Sequence, residues 1–289
     1  MPSEASDLRD RTFLVTGANT GIGRVTAETL ARRGGKVFLA CRSEEKARPV
    51  LEGIRGAGGT AEFLALDLGS LASVRAAAAA FLARGEPLHV LVNNAGLAGS
   101  RGTTTDGFEL LFGTNHLGPF LLTTLLLPRL RESATSGPAG KRGARIVNVS
   151  SKAHYQAEGI DWDALRKPTR TLTSLDEYGV SKLCNVLFTR ELSRGKAGMG
   201  VHSYALHPGV IASDIWRKIP WPIRPLMLRG MKTVVEGAQT SLHCATSPAV
   251  AGQDGRYYDD CQEKQPARIA EDVALAKTLW EKSEAWTAS

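Results

Sequence analysis

Phe13-Leu14-Val15-Thr16-Gly17-Ala18-Asn19-Thr20-Gly21-Ile22-Gly23-Arg24 is the stretch on which the fold turns. An apolar run of the kind that fills a buried strand leads directly into three glycines. Val25, Ala27, Leu30 and Ala31 then follow at spacings that put an apolar stripe on one helix face. A strand, a tight glycine turn and a helix N-terminus thus fall together. Unpaired backbone N–H groups and the helix dipole at such a terminus favour an anionic phosphate, and glycine lets that phosphate approach with no Cβ in the way. The spacing is G-x-x-x-G-x-G rather than the commoner G-x-G-x-x-G, so taken alone it fits a phosphate cradle and an ordinary glycine-rich turn equally well.

Working outward, apolar runs suited to buried strands alternate with helical patterns. The strands are expected at Lys36–Ala40, Ala61–Leu66, Leu88–Val92, Ala144–Val149 and Val201–Ala205, with a short last one at Arg256–Tyr258. Helical segments are expected near 44–57, 70–84, 106–131, 176–195, 233–246 and 269–284. This alternation predicts a doubly wound α/β fold, a parallel sheet of about seven strands with helices on both faces, in a single domain. Residues 1–10 read as a flexible N-terminal segment and 11–289 as the domain. Ligands of such sheets collect beyond the carboxyl ends of the strands, and each notable motif follows a strand there.

The 289 residues carry a net charge of +7, but the basic residues are scattered and lack aromatic interleaving, which argues against a nucleic-acid surface. Cys41, Cys184, Cys244 and Cys261 form no C-x-x-C pair and read as reduced thiols of a cytoplasmic protein. Met1–Asp10 is polar, so no signal or anchor is expected there, and the greasiest stretch, Phe120–Leu127, is far too short for a membrane span.

The second strand ends in Cys41-Arg42. A carboxylate here would accept from a ribose 2′-OH and select NAD. A guanidinium suits a 2′-phosphate instead, so Arg42, with Arg24 as a second contact, points to NADP(H). Asp67, before Leu68, either accepts from an adenine amino group or caps the next helix. Asn93-Asn94-Ala95-Gly96 would let backbone pass close to a ribose, or would simply hold a turn.

Thr16-Gly17-x-x-x-Gly21-Ile22-Gly23, Asp67, Asn93-Asn94-Ala95-Gly96, Asn115, Ser151, Tyr178-x-x-x-Lys182 and Pro208-Gly209 follow one another as in the short-chain dehydrogenase/reductase superfamily, which the chain resembles from Arg11 to about Trp280. Ala40-Cys-Arg-Ser43, Asn115-His-Leu-Gly-Pro-Phe120, Arg145-Ile-Val-Asn-Val-Ser-Ser151 and Ser181-Lys-Leu-Cys-Asn-Val-Leu-Phe188 resemble its retinol dehydrogenase branch. The resemblance implies that Gly17, Asn19, Thr20, Gly21, Ile22, Gly23, Arg42, Asp67, Leu68, Asn93, Ala95 and Gly96 hold NADP(H). Tyr178 and Lys182 would join them, and so would Pro208, Gly209, Val210 and Ser213, the last standing where the family has a threonine. It implies catalysis by Asn115, Ser151, Tyr178 and Lys182, with Ser151 rather than Ser150 the reacting serine and Asn115 holding a water that links the lysine to solvent.

The residues argue the same chemistry. Tyr178 and Lys182 are four apart on one helix face, and a neighbouring ammonium is expected to lower the tyrosine pKa from about 10. Tyr178 could then give a proton to a carbonyl oxygen or take one from an alcohol, while Ser151 bonds the same oxygen. His154 is expected to be a packed or surface histidine rather than a catalytic base, since Tyr178 fills that role. Ser151 and Tyr178 are 27 positions apart, about twice the interval common in the superfamily, so 152–176 reads as an insertion, either beside the site mouth or a surface flap. Residues 214–231, rich in proline and large apolar groups, read as a lid over a lipophilic substrate, a dimer contact or a membrane-facing patch. The expected function is NADP(H)-dependent hydride transfer to or from a bulky lipophilic carbonyl or alcohol. The competing expectation is a catalytically idle NADP(H)-binding partner protein, and a homo-oligomer or peripheral membrane contact is compatible with either.

Overall fold

A computed structural model describes residues 8–136, 143–196, 198, 200–209 and 232–288. The glycine stretch lies between β1 (Thr12–Thr16) and α1 (Gly21–Arg32). Next come β2 (Lys36–Cys41), α2 (Glu44–Gly56), β3 (Thr60–Ala65), α3 (Leu71–Leu82), β4 (Val90–Asn93) and α4 (Leu110–Thr135). The second half adds β5 (Ala144–Val149), α5 (Leu175–Glu191), β6 (Val201–His207), α6 (Val234–Thr246), β7 (Arg256–Asp259), β8 (Gln262–Lys264) and α7 (Val273–Thr287). The sheet runs β3-β2-β1-β4-β5-β6-β7-β8, parallel through β7 and antiparallel at β8. The chain leaves the β3 edge and returns beside β1, so a crevice opens beyond the carboxyl ends of β1 and β4, where the glycine turn lies.

Alternation along the strands explains why both faces are covered. On β1, Leu14 packs into the layer of α3, α4, α5 and α7, whereas Phe13 and Val15 pack into that of α1, α2 and α6. The packed fold reaches back to Leu8, which is buried and whose N–H bonds Arg33 O at 3.0 Å, three residues before the expected boundary at Arg11.

Among the described residues the sheet has eight strands where about seven were expected. The eighth, Gln262-Glu263-Lys264, is fully exposed and polar, so no apolar pattern announces it. It exists because Asp260 and Cys261 both take positive φ, 55° and 59°, and turn the chain back as a two-residue hairpin. The fourth helix begins at Leu110, not 106, after an isolated bridge between Thr103 and Glu109. Leu110–Thr135 is long and apolar enough to cross a membrane, unlike the short run Phe120–Leu127 read alone, but 83% of its apolar window is buried inside the protein, as in a core helix. Within it, Gly113–Leu117 is wound as a π-helix.

Candidate active site

The glycines are demanded by close backbone approach. Gly17 has φ +66°, and a Cβ on Gly23 would lie 2.4 Å from both Gly17 O and Asn94 Nδ2, so α1 can start here only with glycine at 23. Gly21, at φ +57°, faces open space. Thr20, the N-cap of α1, makes no side-chain cap bond, which leaves the first amides of the helix for an external acceptor. This open, uncapped cradle fits the pyrophosphate of a nicotinamide dinucleotide, with Ile22 half-buried behind it.

The β4 loop is tied to the cradle through Thr16. Its Oγ1 accepts from the N–H groups of Asn94 (3.0 Å) and Ala95 (2.9 Å), and Asn94 Nδ2 donates to Thr16 O at 2.8 Å. Asn93 turns inward: its amide donates to Asn148 Oδ1 (2.8 Å) and Thr123 Oγ1 (3.0 Å), which aims the side chain into the protein. Asp67 Oδ1 accepts from Gly69 N at 2.9 Å, and the cap of α3 is Ser70, so of the two expected roles capping falls to Ser70. Leu68 is buried, its carbonyl only 2.4 Å from where a Cβ on Gly118 would stand. Arg42 is exposed just past β2, while Arg24 is engaged with Glu28 at 2.7 Å. Cys41 is buried against the backbone N–H groups of Ala18 and Asn19, and burial pushes its thiol up to about 11.

The four expected catalytic side chains come from three elements and meet. Asn115 sits in the π-wound turn of α4, a local rewinding that recurs at functional sites. Its Oδ1 accepts from Leu97 N (2.7 Å), and its Nδ2 donates to Leu97 O (2.9 Å) and to Ser181 Oγ (3.0 Å). Lys182, 3% exposed, donates from Nζ to Val149 O at 3.0 Å and lies 5.6 Å from the centre of the Tyr178 ring. A Cβ on Gly96 would stand 3.2 Å from Lys182 Nζ and 3.3 Å from Asn115 Oδ1, so glycine there keeps the lysine and asparagine reachable from the β4 loop. Ser151, just past β5, hydrogen-bonds the Tyr178 side chain, whereas Ser150 Oγ points the other way and donates to Lys182 O at 2.7 Å.

The electrostatics differ from the expectation in one respect. Burial raises the Tyr178 pKa, and the Ser151 hydrogen bond opposes that shift without overcoming it. Burial also pulls Lys182 down, to about 8, which still leaves it mostly an ammonium at neutral pH.

His154 is fully buried, the packed one of its two expected placements. The insertion is docked rather than loose: Glu109 N bonds Leu165 O at 2.9 Å, Arg166 stacks 4.2 Å above the Phe108 ring, and Lys282 of α7 lies 5.3 Å from the Trp162 ring. Glu177 accepts from Arg170 N (2.9 Å) and Thr171 N (2.8 Å), which ties the insertion to the first turn of α5 one residue before Tyr178. Leu175, 57% exposed, opens that same turn, and Leu172, 85% exposed, lies in the insertion three residues before it. Pro208 and Gly209 follow β6, with Gly209 at φ +99°. Val210, Ser213 and the segment 214–231 lie outside the described residues.

Three contributors escaped the sequence reading: the Thr16 clasp, the π-turn under Asn115, and Gly179. A Cβ on Gly179 would lie 3.0 Å from Ala153 O, so α5 rests directly on the turn that carries Ser151. A lone glycine immediately after Tyr178 in an otherwise regular helix was the available signal.

A family model described as short chain dehydrogenase matches residues 11–162. Over 287 residues the chain is 45% identical to dehydrogenase/reductase SDR family member 13 of Bos taurus, covering 96% of this chain and 73% of that protein. It is 43% identical over 293 residues to retinol dehydrogenase 13 of Homo sapiens, covering 98% of this chain and 86% of that one. Among solved structures, an uncharacterized protein from Mycobacterium paratuberculosis aligns with a TM-score of 0.75 at 34% identity, covering 99% of this chain and 97% of its own.

Proposed function

The chain belongs to the short-chain dehydrogenase family, in its retinol dehydrogenase-like branch, and is an oxidoreductase of alcohols and carbonyls built to bind a nicotinamide cofactor; from this we propose that it uses NADP(H) on a bulky lipophilic carbonyl or alcohol, with Tyr178 as the acid and base. The observation that carries the proposal is the convergence of Tyr178, Ser151, Lys182 and Asn115 on one spot past the sheet, beside an open glycine cradle. The nicotinamide, when bound, supplies or takes the hydride.

The residues handle the proton. Tyr178, kept protonated by burial, is poised to give its hydroxyl proton to a carbonyl oxygen as negative charge develops there. Ser151, already bonded to the tyrosine, can turn its hydroxyl to the same oxygen. Lys182, with a pKa near 8 and one donor fixed on Val149 O, retains two more for ribose hydroxyls and for proton exchange through the Asn115 turn. Arg42, exposed at the end of β2 with no carboxylate at position 41, supports a 2′-phosphate. The names of the retinol dehydrogenases and the exposed Leu175, three residues before Tyr178 on α5, support a lipophilic substrate. In this reading 11–289 acts as one catalytic domain with 214–231 as the lid, and the four unpaired cysteines support a cytoplasmic setting.

The test is a screen of retinal, long-chain enals, steroid ketones and aromatic ketones with NADPH and with NADH, followed by nicotinamide absorbance. The proposal expects turnover of at least one lipophilic carbonyl, faster with NADPH. Turnover restricted to small hydrophilic carbonyls, or preference for NADH, would overturn the substrate class or the cofactor respectively.

A further inference from the structure

One peptide unit beside the site is held on both of its edges. The carbonyl of Ser151 accepts from His154 Nδ1 at 2.6 Å, and the N–H of Lys152, on the same peptide, donates to His207 Nδ1 at 3.3 Å. The two histidines come from different parts of the chain. His154 belongs to the short helical turn Lys152–Gln156 of the insertion, and His207 closes β6 directly before Pro208 and Gly209. Both rings are buried, at 0% and 4% exposure.

The hydrogen bonds fix which ring nitrogen carries the proton. His154 Nε2 accepts from Ala267 N at 3.0 Å, so its hydrogen is on Nδ1, the atom that donates to Ser151 O. His207 accepts at Nδ1, so its hydrogen is on Nε2, which is buried with no hydrogen-bond partner among the described residues. A His207 protonated at both nitrogens could no longer accept from Lys152, and burial, holding its pKa near 4, prevents that at neutral pH. The His154 ring is clamped in turn between Tyr155 (4.0 Å) and Tyr257 (4.8 Å), and Lys152 is anchored by its ion pair with Asp259 at 2.9 Å.

We propose that His154 and His207 are positioning residues which, by gripping the two edges of the Ser151–Lys152 peptide, fix the Ser151 hydroxyl against Tyr178. The proposal rests on Ser151 as the group that meets the reacting oxygen. The backbone dihedrals of Ser151 set where its side chain points; the turn is already closed by His154 N donating to Ser151 O at 3.1 Å and Ala153 N to Ser151 Oγ at 3.2 Å, and the two ring bonds narrow the range left to the peptide plane. The tolerance is narrow, since a displacement of about 1 Å in a reacting group costs on the order of a hundredfold in rate.

Two polar substitutions separate this role from simple packing. His154→Asn keeps a donor where Nδ1 stood and gives up the acceptor for Ala267. His154→Gln keeps an acceptor near Nε2 and gives up the donor to Ser151. Turnover of a carbonyl substrate with NADPH, NADPH affinity and melting temperature are measured for both, alone and combined with Ser151→Ala. The expected result is that His154→Gln lowers kcat about tenfold with NADPH affinity unchanged, while His154→Asn stays within about threefold of the unmodified protein. In the Ser151→Ala background, His154→Gln should add less than about twofold, because residues acting as one unit are not additive. Equal losses from Asn and Gln, or the same tenfold loss with and without Ser151, would overturn the grip while leaving the role of Ser151 intact. Full turnover by Ser151→Ala would overturn the reading of Ser151 and this inference with it. Should His154→Gln not yield soluble protein, His207→Asn, which keeps the acceptor, against His207→Leu, which loses it, decides by the same comparison.

Discussion

Gly179→Ala adds a single methyl group where α5 rests directly on the Ser151 turn. The added Cβ would sit 3.0 Å from Ala153 O, closer than the roughly 3.3–3.6 Å of a comfortable carbon–oxygen contact. The oxygen is backbone and the glycine is in a regular helix, so relief requires the helix and the turn to part by a few tenths of an ångström. Tyr178 is the next residue on one side and Ser151 lies two residues from Ala153 on the other, so the separation falls between the two hydroxyls. Scaling from about a hundredfold for 1 Å, a shift of this size costs roughly three- to tenfold in kcat. Stability moves little, because alanine in a helix interior recovers about 0.8–1 kcal/mol over glycine and offsets the crowding. The assay pairs kcat for carbonyl reduction with urea unfolding. Unchanged kcat would refute the claim that this contact sets the distance from Ser151 to Tyr178. A collapse of stability with kcat intact would show that the methyl group is accommodated elsewhere.

Gly53→Ala is the control: an exposed glycine inside α2 with nothing within 4 Å of its Cβ position should gain about 0.8–1 kcal/mol with unchanged turnover, and a loss of stability would contradict it. Arg42→Ala should weaken NADPH roughly tenfold and leave NADH nearly untouched, the low end for a charge-assisted contact because Arg42 is exposed; equal weakening of both cofactors would show that it does not meet a 2′-phosphate. Acid should destabilise the protein through its buried histidines. Burial holds His89 and His207 near 4 and His116 near 3 when folded, against 6.5 unfolded, so the unfolded chain gains protons first as pH falls. Their contribution is complete above about pH 6.5 and is lost progressively toward pH 4, by up to about 2 kcal/mol per histidine at pH 5. A urea midpoint unchanged between pH 7 and pH 5 would refute this.

What the sequence discloses depends on how local the cause is. β1, β2, β4 and β5 were readable because they are buried along nearly their whole length and therefore largely apolar, as in Phe13-Leu14-Val15. β8 was not, since it is held by a turn at Asp260 and Cys261 and not by burial. Tyr178 and Lys182 were placed together by helix periodicity alone. The π-winding at Gly113–Leu117 has no local signature, and the grip on the Ser151–Lys152 peptide needs His207, which is 55 positions away. The burial that raises the Tyr178 pKa in the protein alone is hidden for the same reason. Charge spacing is visible in a sequence, but the burial that outweighs it comes from elements distant in the chain.

Tyr178→Phe tests the central claim most directly, because it removes the proposed proton donor and keeps the ring. With the best carbonyl substrate and saturating NADPH, kcat should fall by at least about a hundredfold, while NADPH affinity stays within a few-fold of the unmodified protein. Turnover within a few-fold of the unmodified enzyme would contradict the assignment of Tyr178 as the acid and base.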